Sequence, residues 1–204
     1  MNETELARWF SSIKETLETA YIQHSEPWKQ SGFSGPEERW VRVRKPIADC
    51  VDEPGTFLDI GCANGYLLEC VMKWTAERGL TIIPYGLDIS EKLVGLAKAR
   101  LPEYQDNLYV GNAWDWKNTR RFDYVRTELV YVPEHLQKAY VQRIIDEYLE
   151  DGGRLLVAGY TSSKHPDIKP WVDLQLKEWG FKVERTAAGF WNNYEESRVA
   201  VVFK

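Results

Sequence analysis

In "FLDIGCANGYLLE", residues 57–69, an apolar run ends in Asp59 and breaks at Gly61 and Gly65 before an apolar pattern resumes. Glycine lets a backbone turn sharply and approach a ligand without side-chain obstruction. Asp59, just ahead of that turn, suits a ligand carrying an ammonium group, although an aspartate there also caps a turn through its own backbone bonds. A second apolar run, "YGLDIS", closes on Asp88, 27 positions beyond Gly61 and so about one strand, helix and strand further on. A right-handed crossover puts this carboxylate beside the first turn. There it can accept hydrogen bonds from both hydroxyls of a ribose or, with Ser90, cap the next helix. A third run ends in "VGNAWDW", where Asn112 offers an amide to an adenine edge and Ala113 with Trp114 a backbone donor and a flat apolar surface. Three consecutive strand ends thus carry parts for an amino-acid end, a ribose and a base.

The elements that must position these residues alternate from Thr56 onward. Strand-like runs lie at 56–61, 81–89, 107–113, 122–129, 154–160, 182–189 and 197–204; helix-like runs lie at 66–78, 90–101, 133–151 and 170–180. This order predicts an α/β fold: a Rossmann-like, doubly wound, seven-stranded and mostly parallel sheet with helices on both faces. Only a turn-like "FWNNYEES" separates the last two runs, so they are expected to form an antiparallel C-terminal edge hairpin. The helix over 133–151 is expected to close on "EDGG", with glycine at a left-handed terminus. Ahead of all this, Leu6, Trp9, Phe10, Ile13, Leu17 and Tyr21 recur at three- and four-residue steps, the pattern of an amphipathic helix. An irregular stretch with Pro27, Gly32, Gly35 and Pro36 follows, and then a second helical pattern through Ile47 toward Pro54. Residues 1–50 therefore read as a helical cap or lid segment and 51–204 as the ligand-binding domain.

With 204 residues, 44% of them hydrophobic, the chain can bury a sizeable core. Its 26 basic and 31 acidic side chains, net −5, argue against a constitutive nucleic-acid coat or a basic membrane anchor. No apolar run reaches membrane-spanning length and the start lacks the order of a signal peptide, so a cytoplasmic location is expected. Cys50, Cys62 and Cys70 lack CxxC spacing and read as reduced structural thiols. His24, His135 and His165 are too scattered to suggest a metal site. A dinucleotide-binding turn would place glycine at 61, 63 and 66; Ala63 and Tyr66 disfavour a nicotinamide oxidoreductase.

From Thr56 to Lys204 the chain resembles the class I S-adenosylmethionine-dependent methyltransferases. "FLDIGCANGYL" is similar to their first motif, "YGLDIS" to their ribose-binding acidic motif and "GNAWDW" to their adenine segment, while "LEDGGRLLVAGY" resembles the motif leading into their fifth strand. The resemblance implies S-adenosyl-L-methionine as cofactor and 51–204 as its domain. It further implies that Asp59, Gly61, Cys62 and Gly65 surround the methionine end, Asp88 and Ile89 the ribose, and Asn112, Ala113 and Trp114 the adenine. Two residues depart from the family pattern: Ala63 stands at a common glycine, and Asn112 replaces a common acidic residue but keeps an acceptor oxygen.

In "VRTELVYVPEH", Glu128, Tyr131 and His135 fall where the family commonly places substrate and donor-methyl contacts. Glu128 is the leading candidate for a base or substrate anchor, with a salt bridge to Arg126 as its structural alternative; Tyr131 reads as a contact or as packing. Because a sulfonium methyl is already activated, the reaction needs neither a nucleophilic triad nor a metal. The acidic net charge and modest length favour a small-molecule acceptor. An RNA acceptor is the alternative, through Arg39, Arg42, Arg44 and Lys45. Tyr21, Trp28, Phe33 and Trp40 suggest that the N-terminal segment closes over the cofactor and a small apolar or aromatic acceptor, with a helix packed permanently on the sheet as the alternative.

Overall fold

Strand β1 (Gly55–Ile60) runs between β2 (Ile82–Asp88) and β4 (Phe122–Glu128) in a computed structural model that describes residues 1–161 and 170–204. With β3 (Leu108–Val110), β5 (Leu149–Tyr160), β6 (Val183–Trp191) and β7 (Tyr194–Phe203) they form a seven-stranded sheet of order β3-β2-β1-β4-β5-β7-β6. The first five are mutually parallel, and β7 inserts antiparallel between β5 and β6. The expected doubly wound sheet and its antiparallel edge are both present. The strand order reverses between β1 and β4, and at such a switch point the loops leaving neighbouring strands part to open a crevice.

Alternation along the strands assigns the two faces. Phe57, Tyr124, Leu156 and Val201 pack with α2 (Glu37–Asp49), α3 (Tyr66–Ala76) and α4 (Glu91–Arg100). Leu58, Val125, Leu155 and Val202 pack with α5 (Gln137–Tyr148) and α6 (Val172–Glu178). Successive strand residues point to opposite faces, so a strand covered on both sides is built mainly from apolar residues, with Asp59, Asp88 and Arg126 as buried exceptions.

Helix α1 (Glu3–Ile22) begins with a capping box in which the Asn2 side chain accepts from the Glu5 amide and the Glu5 carboxylate accepts from the Asn2 amide, each at 2.9 Å. Phe10 is its one buried residue. Helix α2 behaves differently: Trp40 and Ile47 are fully buried, and Trp40 stacks against Tyr66 with ring centroids 4.6 Å apart. Pro46 lies inside α2 and brings no donor to the Arg42 carbonyl. That carbonyl lies against Gly189 of β6, where a Cβ would come within 2.7 Å of it. The close approach of α2 to the sheet thus requires glycine at 189. A boundary at residue 50 therefore falls behind a helix packed into the main core, whereas α1 sits largely outside it.

Two local expectations are corrected. The helix expected over 133–151 is a short 3-10 turn, Glu134–Leu136, followed by α5, which ends at Tyr148. "EDGG" belongs to β5: Leu149 pairs with Phe122 and Arg154 with Tyr124, so residues 150–153 bulge out and Gly152 takes a left-handed φ of 79° there rather than at a helix terminus. Leu149 is fully buried, and placing it in the ladder outweighs another half turn of helix. The final hairpin turns on two residues only, Asn192 and Asn193, both at positive φ (49° and 64°), because such a turn matches the strand twist. "FW" and "YE" flanking it are strand, not loop.

Because α2 completes the core, Trp40→Ala is expected to destabilise the protein by about 3–5 kcal/mol, read as a shift in the urea midpoint at unchanged m-value. A loss below about 1 kcal/mol would mean that α2 is not an integral layer.

Candidate functional site

The turn after β1 is built by three left-handed residues, Gly61 (φ 79°), Ala63 (φ 46°) and Gly65 (φ 75°). Alanine therefore occupies a left-handed conformation at the position where the family commonly has glycine. The Gly61 and Cys62 amides donate to the Leu87 carbonyl at 2.7 and 3.1 Å, tying the turn to the end of β2. Asp88 completes the tie: its Oδ2 accepts from the Ala63 amide and its Oδ1 from the Ser90 amide, both at 2.9 Å. One buried carboxylate thereby fixes two loop starts at the same edge of the sheet.

Above this edge lies a cavity of about 370 Å3. Gly61, Asp88, Ile89, Asn112 and Ala113 contribute to its floor, and the Phe10, Ile13, Leu17 and Tyr21 stripe of α1 closes it from outside. Glu18, on the same helix, accepts from Ser90 Oγ at 2.8 Å and pairs with Lys92 Nζ at 2.8 Å. Burial pushes the Tyr21 hydroxyl up to about 12, with the charges of Glu128 and Asp88 adding to the effect.

Arg126, in the middle of β4, is 2% exposed. Its Nη1 donates to Asp59 Oδ1 at 3.1 Å and to Tyr131 Oη at 3.0 Å; its Nη2 contacts Glu128 Oε1 and reaches Tyr160 Oη at 3.2 Å. Tyr131 Oη in turn donates to Glu128 Oε1 at 2.9 Å. The Tyr131 ring lies directly over Gly61, where any Cβ would overlap it. Burial raises the Asp59 carboxyl to about 6, and the Arg126 charge opposes this without cancelling it. Burial also lifts the Tyr131 hydroxyl well above the usual phenol range, so it serves as a neutral donor.

Of the residues singled out in the sequence, Gly61, Asp88, Ile89, Asn112, Ala113, Glu128 and Tyr131 line this cavity. Asp59, Cys62, Gly65 and Trp114 do not. Asp59 is fully buried beneath the turn and bound to Arg126. Cys62 packs toward Gly86, and Gly65 packs against Ala97 of α4. Trp114 turns away because the Asn112 side chain accepts from its amide at 2.9 Å and Arg143 holds its carbonyl, packing the ring on the α5 side of the sheet. His135 is exposed and outside the cavity, and His165 lies outside the described residues.

Three residues near the cavity carry roles that the motifs do not signal. Arg44 of α2 lines it and stacks on Tyr160, 3.6 Å from the ring centroid. Asn64, fully buried within the turn, donates to the Pro27 carbonyl and to Gln30 Oε1, each at 3.0 Å, and so pins the N-terminal segment to the glycine turn. Arg126 is the third; its position between Val125 and Thr127 within a central strand was the available signal. Two of the other basic side chains near Arg44 are engaged by acidic partners. Arg39 pairs bidentately with Glu196 (2.6 and 3.0 Å), and Arg42 pairs with Glu38 at 3.2 Å. A second cavity, of about 460 Å3, adjoins the first, with Glu128 and Val130 lining both. Its walls include Tyr160, Trp171 and Tyr194.

The chain matches no protein-family model and no curated protein sequence. Solved structures do match across nearly its full length. Magnesium protoporphyrin IX methyltransferase (ChlM) from Synechocystis PCC 6803, with bound SAM, is 18% identical with a TM-score of 0.63, covering 96% of each chain. The 1,6-didemethyltoxoflavin-N1-methyltransferase of Burkholderia thailandensis, with bound 1,6-didemethyltoxoflavin and S-adenosylhomocysteine, is 14% identical with a TM-score of 0.69, covering 98% of this chain and 90% of its own. The N-methyltransferase NodS from Bradyrhizobium japonicum WM9, in complex with S-adenosylhomocysteine, is 14% identical with a TM-score of 0.59, covering 94% and 97%. The chain thus has the fold of the class I S-adenosylmethionine-dependent methyltransferases.

Asp59 keeps its proton to higher pH when folded than when unfolded, so its ionisation between about pH 4 and pH 6 lowers stability as pH rises. Asp59→Asn is expected to flatten that part of the stability profile, measured by urea denaturation across the range. An unchanged slope would place its origin elsewhere.

Proposed function

We propose that this chain is an S-adenosylmethionine-dependent methyltransferase acting on a small-molecule acceptor by in-line displacement. The observation that carries the reading is the convergence of three consecutive parallel strand ends on one cavity, with a buried carboxylate at the second. The residues fit the cofactor in kind. A cavity of about 370 Å3 lies within the range of small-molecule sites, roughly 300–1,000 Å3. A carboxylate has about four acceptor positions; the Ala63 and Ser90 amides take two on Asp88, which leaves others for a ribose diol. Asn112 keeps its NH2 group for an adenine edge, with Ile89 and the α1 stripe supplying apolar walls. Because Asp59 is engaged by Arg126, we assign the methionine carboxylate to Arg44, which lines the same cavity and has no ion-pair partner among the described residues.

Bound there, S-adenosylmethionine supplies a methyl group already activated by its sulfonium. The protein's share of the work is orientation, which in well-aligned systems is worth on the order of 7–11 kcal/mol. Tyr131, clamped over Gly61 by Arg126 and Glu128, holds the boundary between the two cavities. Helix α1 acts as the cover, its Phe10, Ile13 and Leu17 keeping water from the reacting groups, with Glu18 as the latch. Arg39 and Arg42, two of the four basic residues on which an RNA acceptor would depend, are engaged by acidic partners.

Isothermal titration with S-adenosylhomocysteine tests the reading, and no binding would overturn it. Asp88→Ala is expected to weaken that binding by about 1–3 kcal/mol, the cost of unmatched ribose hydroxyls. Arg44→Ala is expected to weaken S-adenosylhomocysteine but not adenosine, which lacks the carboxylate; equal losses for both would reject the role of Arg44. Glu18→Ala is expected to speed release of S-adenosylhomocysteine in stopped-flow measurements while leaving the urea midpoint in place. An unaltered release rate would show that the latch does not hold the cover.

A further inference from the structure

We propose that the acceptor is a planar, electron-rich aromatic molecule bearing an N–H or O–H nucleophile, seated in the second cavity with that group directed past Glu128. The proposal rests on the methyltransferase reading and adds the chemistry of the substrate.

Three aromatic side chains, Tyr160, Trp171 and Tyr194, line the second cavity, and two of them are backed by arginine. The Arg44 guanidinium lies 3.6 Å from the Tyr160 ring centroid, and that of Arg198 lies 4.7 Å from the Trp171 centroid. Neither arginine is left to bind an anion in the second cavity. Arg44 faces the cofactor cavity, and Arg198 is held by Asp173 at 3.0 Å and by Glu195 at 2.7 Å. A cation against one face of a ring draws π density toward itself. What remains for a ligand is a platform that prefers a neutral, electron-rich ring to a second cation. Tyr160 is fixed further by the hydrogen bond its hydroxyl accepts from Arg126. Rigid flat walls favour a flat ligand, which loses little freedom on binding.

The polar groups set where the nucleophile must lie. Glu128 lines both cavities, so an acceptor in the second reaches the first across this carboxylate. Arg126 and Tyr131 both engage Glu128 Oε1, which leaves Oε2 to accept a hydrogen from the acceptor. Glu134 lines the same cavity, with Gln137 and Gln175 as neutral partners for ring substituents. Two carboxylates oppose a substrate that presents a carboxylate or phosphate to them. In the transfer, a lone pair of the nitrogen or oxygen forms the bond to the methyl carbon. The carbon–sulfur bond breaks with its pair retained by sulfur, and the N–H or O–H proton passes to the Glu128 carboxylate. No further reactant is required.

The test titrates protein saturated with S-adenosylhomocysteine against aminoindole, hydroxyindole, indole carboxylate and cyclohexylamine, and separately incubates each with methyl-labelled donor. Binding of aminoindole or hydroxyindole in preference to the other two, with label on nitrogen or oxygen, supports the proposal and tells the two nucleophiles apart. Trp171→Ala is then expected to weaken that binding up to about tenfold. Glu128→Gln is expected to lower transfer about 100-fold with a much smaller change in acceptor affinity. Preference for the carboxylate or the aliphatic amine, or no binding of any probe to protein that holds S-adenosylhomocysteine, overturns the acceptor assignment and leaves the methyltransferase reading intact. Failure to bind S-adenosylhomocysteine overturns both.

Discussion

The buried Arg126 guanidinium is the interaction on which the site depends. A charge taken out of water costs several kcal/mol unless partners surround it, and here four groups do so: Asp59, Glu128, Tyr131 and Tyr160. They come from β1, the end of β4, the turn after it and the end of β5. Meeting one arginine's hydrogen-bonding geometry therefore sets three neighbouring strands and a loop relative to one another. The arrangement also explains why the first acidic residue of the glycine turn is unavailable to a ligand. Asp59 is the counter-ion of Arg126, and its Oδ2 remains without a hydrogen bond in the buried interior. Removing either member would strand the other charge, so the pair is costly to break whatever its net contribution to stability.

A second set of contacts joins the N-terminal segment to the glycine turn. Asn64 reaches back to the Pro27 carbonyl and to Gln30, while Ser90, at the start of α4, donates to Glu18 of α1. Asp88 lies between these, accepting from the amides of Ala63 and Ser90. The loops that form the floor of the cavity are thus the same loops that anchor its cover. These shared hydrogen bonds are the physical route that the proposed closure would use. Helix α2 does not share in this: its Trp40 and Ile47 lie in the permanent core, and its part in the site is to present Arg44.

Much of this was legible in the chain. Alternating apolar runs gave seven strands and both helical layers, because burial on two faces leaves no freedom in residue type. Gly61, Asp88, Asn112 and Ala113 could be assigned to one edge because a right-handed crossover returns every parallel strand in the same direction. The errors fell where local and long-range demands compete. Trp114 was expected at the ligand because a flat ring follows Asn112, yet its carbonyl is held by Arg143 from a helix 29 residues on. The terminus of α5 was misplaced because Leu149 gains more by joining β5 than by extending a helix.

What the sequence determined by itself was therefore whatever follows from periodicity and chain connectivity: the sheet, its antiparallel edge, the glycine turn and the row of strand-end residues. Only the tertiary structure decided which polar groups face one another. It committed Asp59 to Arg126, placed Arg44 in the lining of the first cavity, and set Glu128 between two cavities. Connectivity fixes where a backbone passes, but the partner of a buried charge is chosen by residues distant in sequence, through desolvation and hydrogen-bond geometry that no local pattern records.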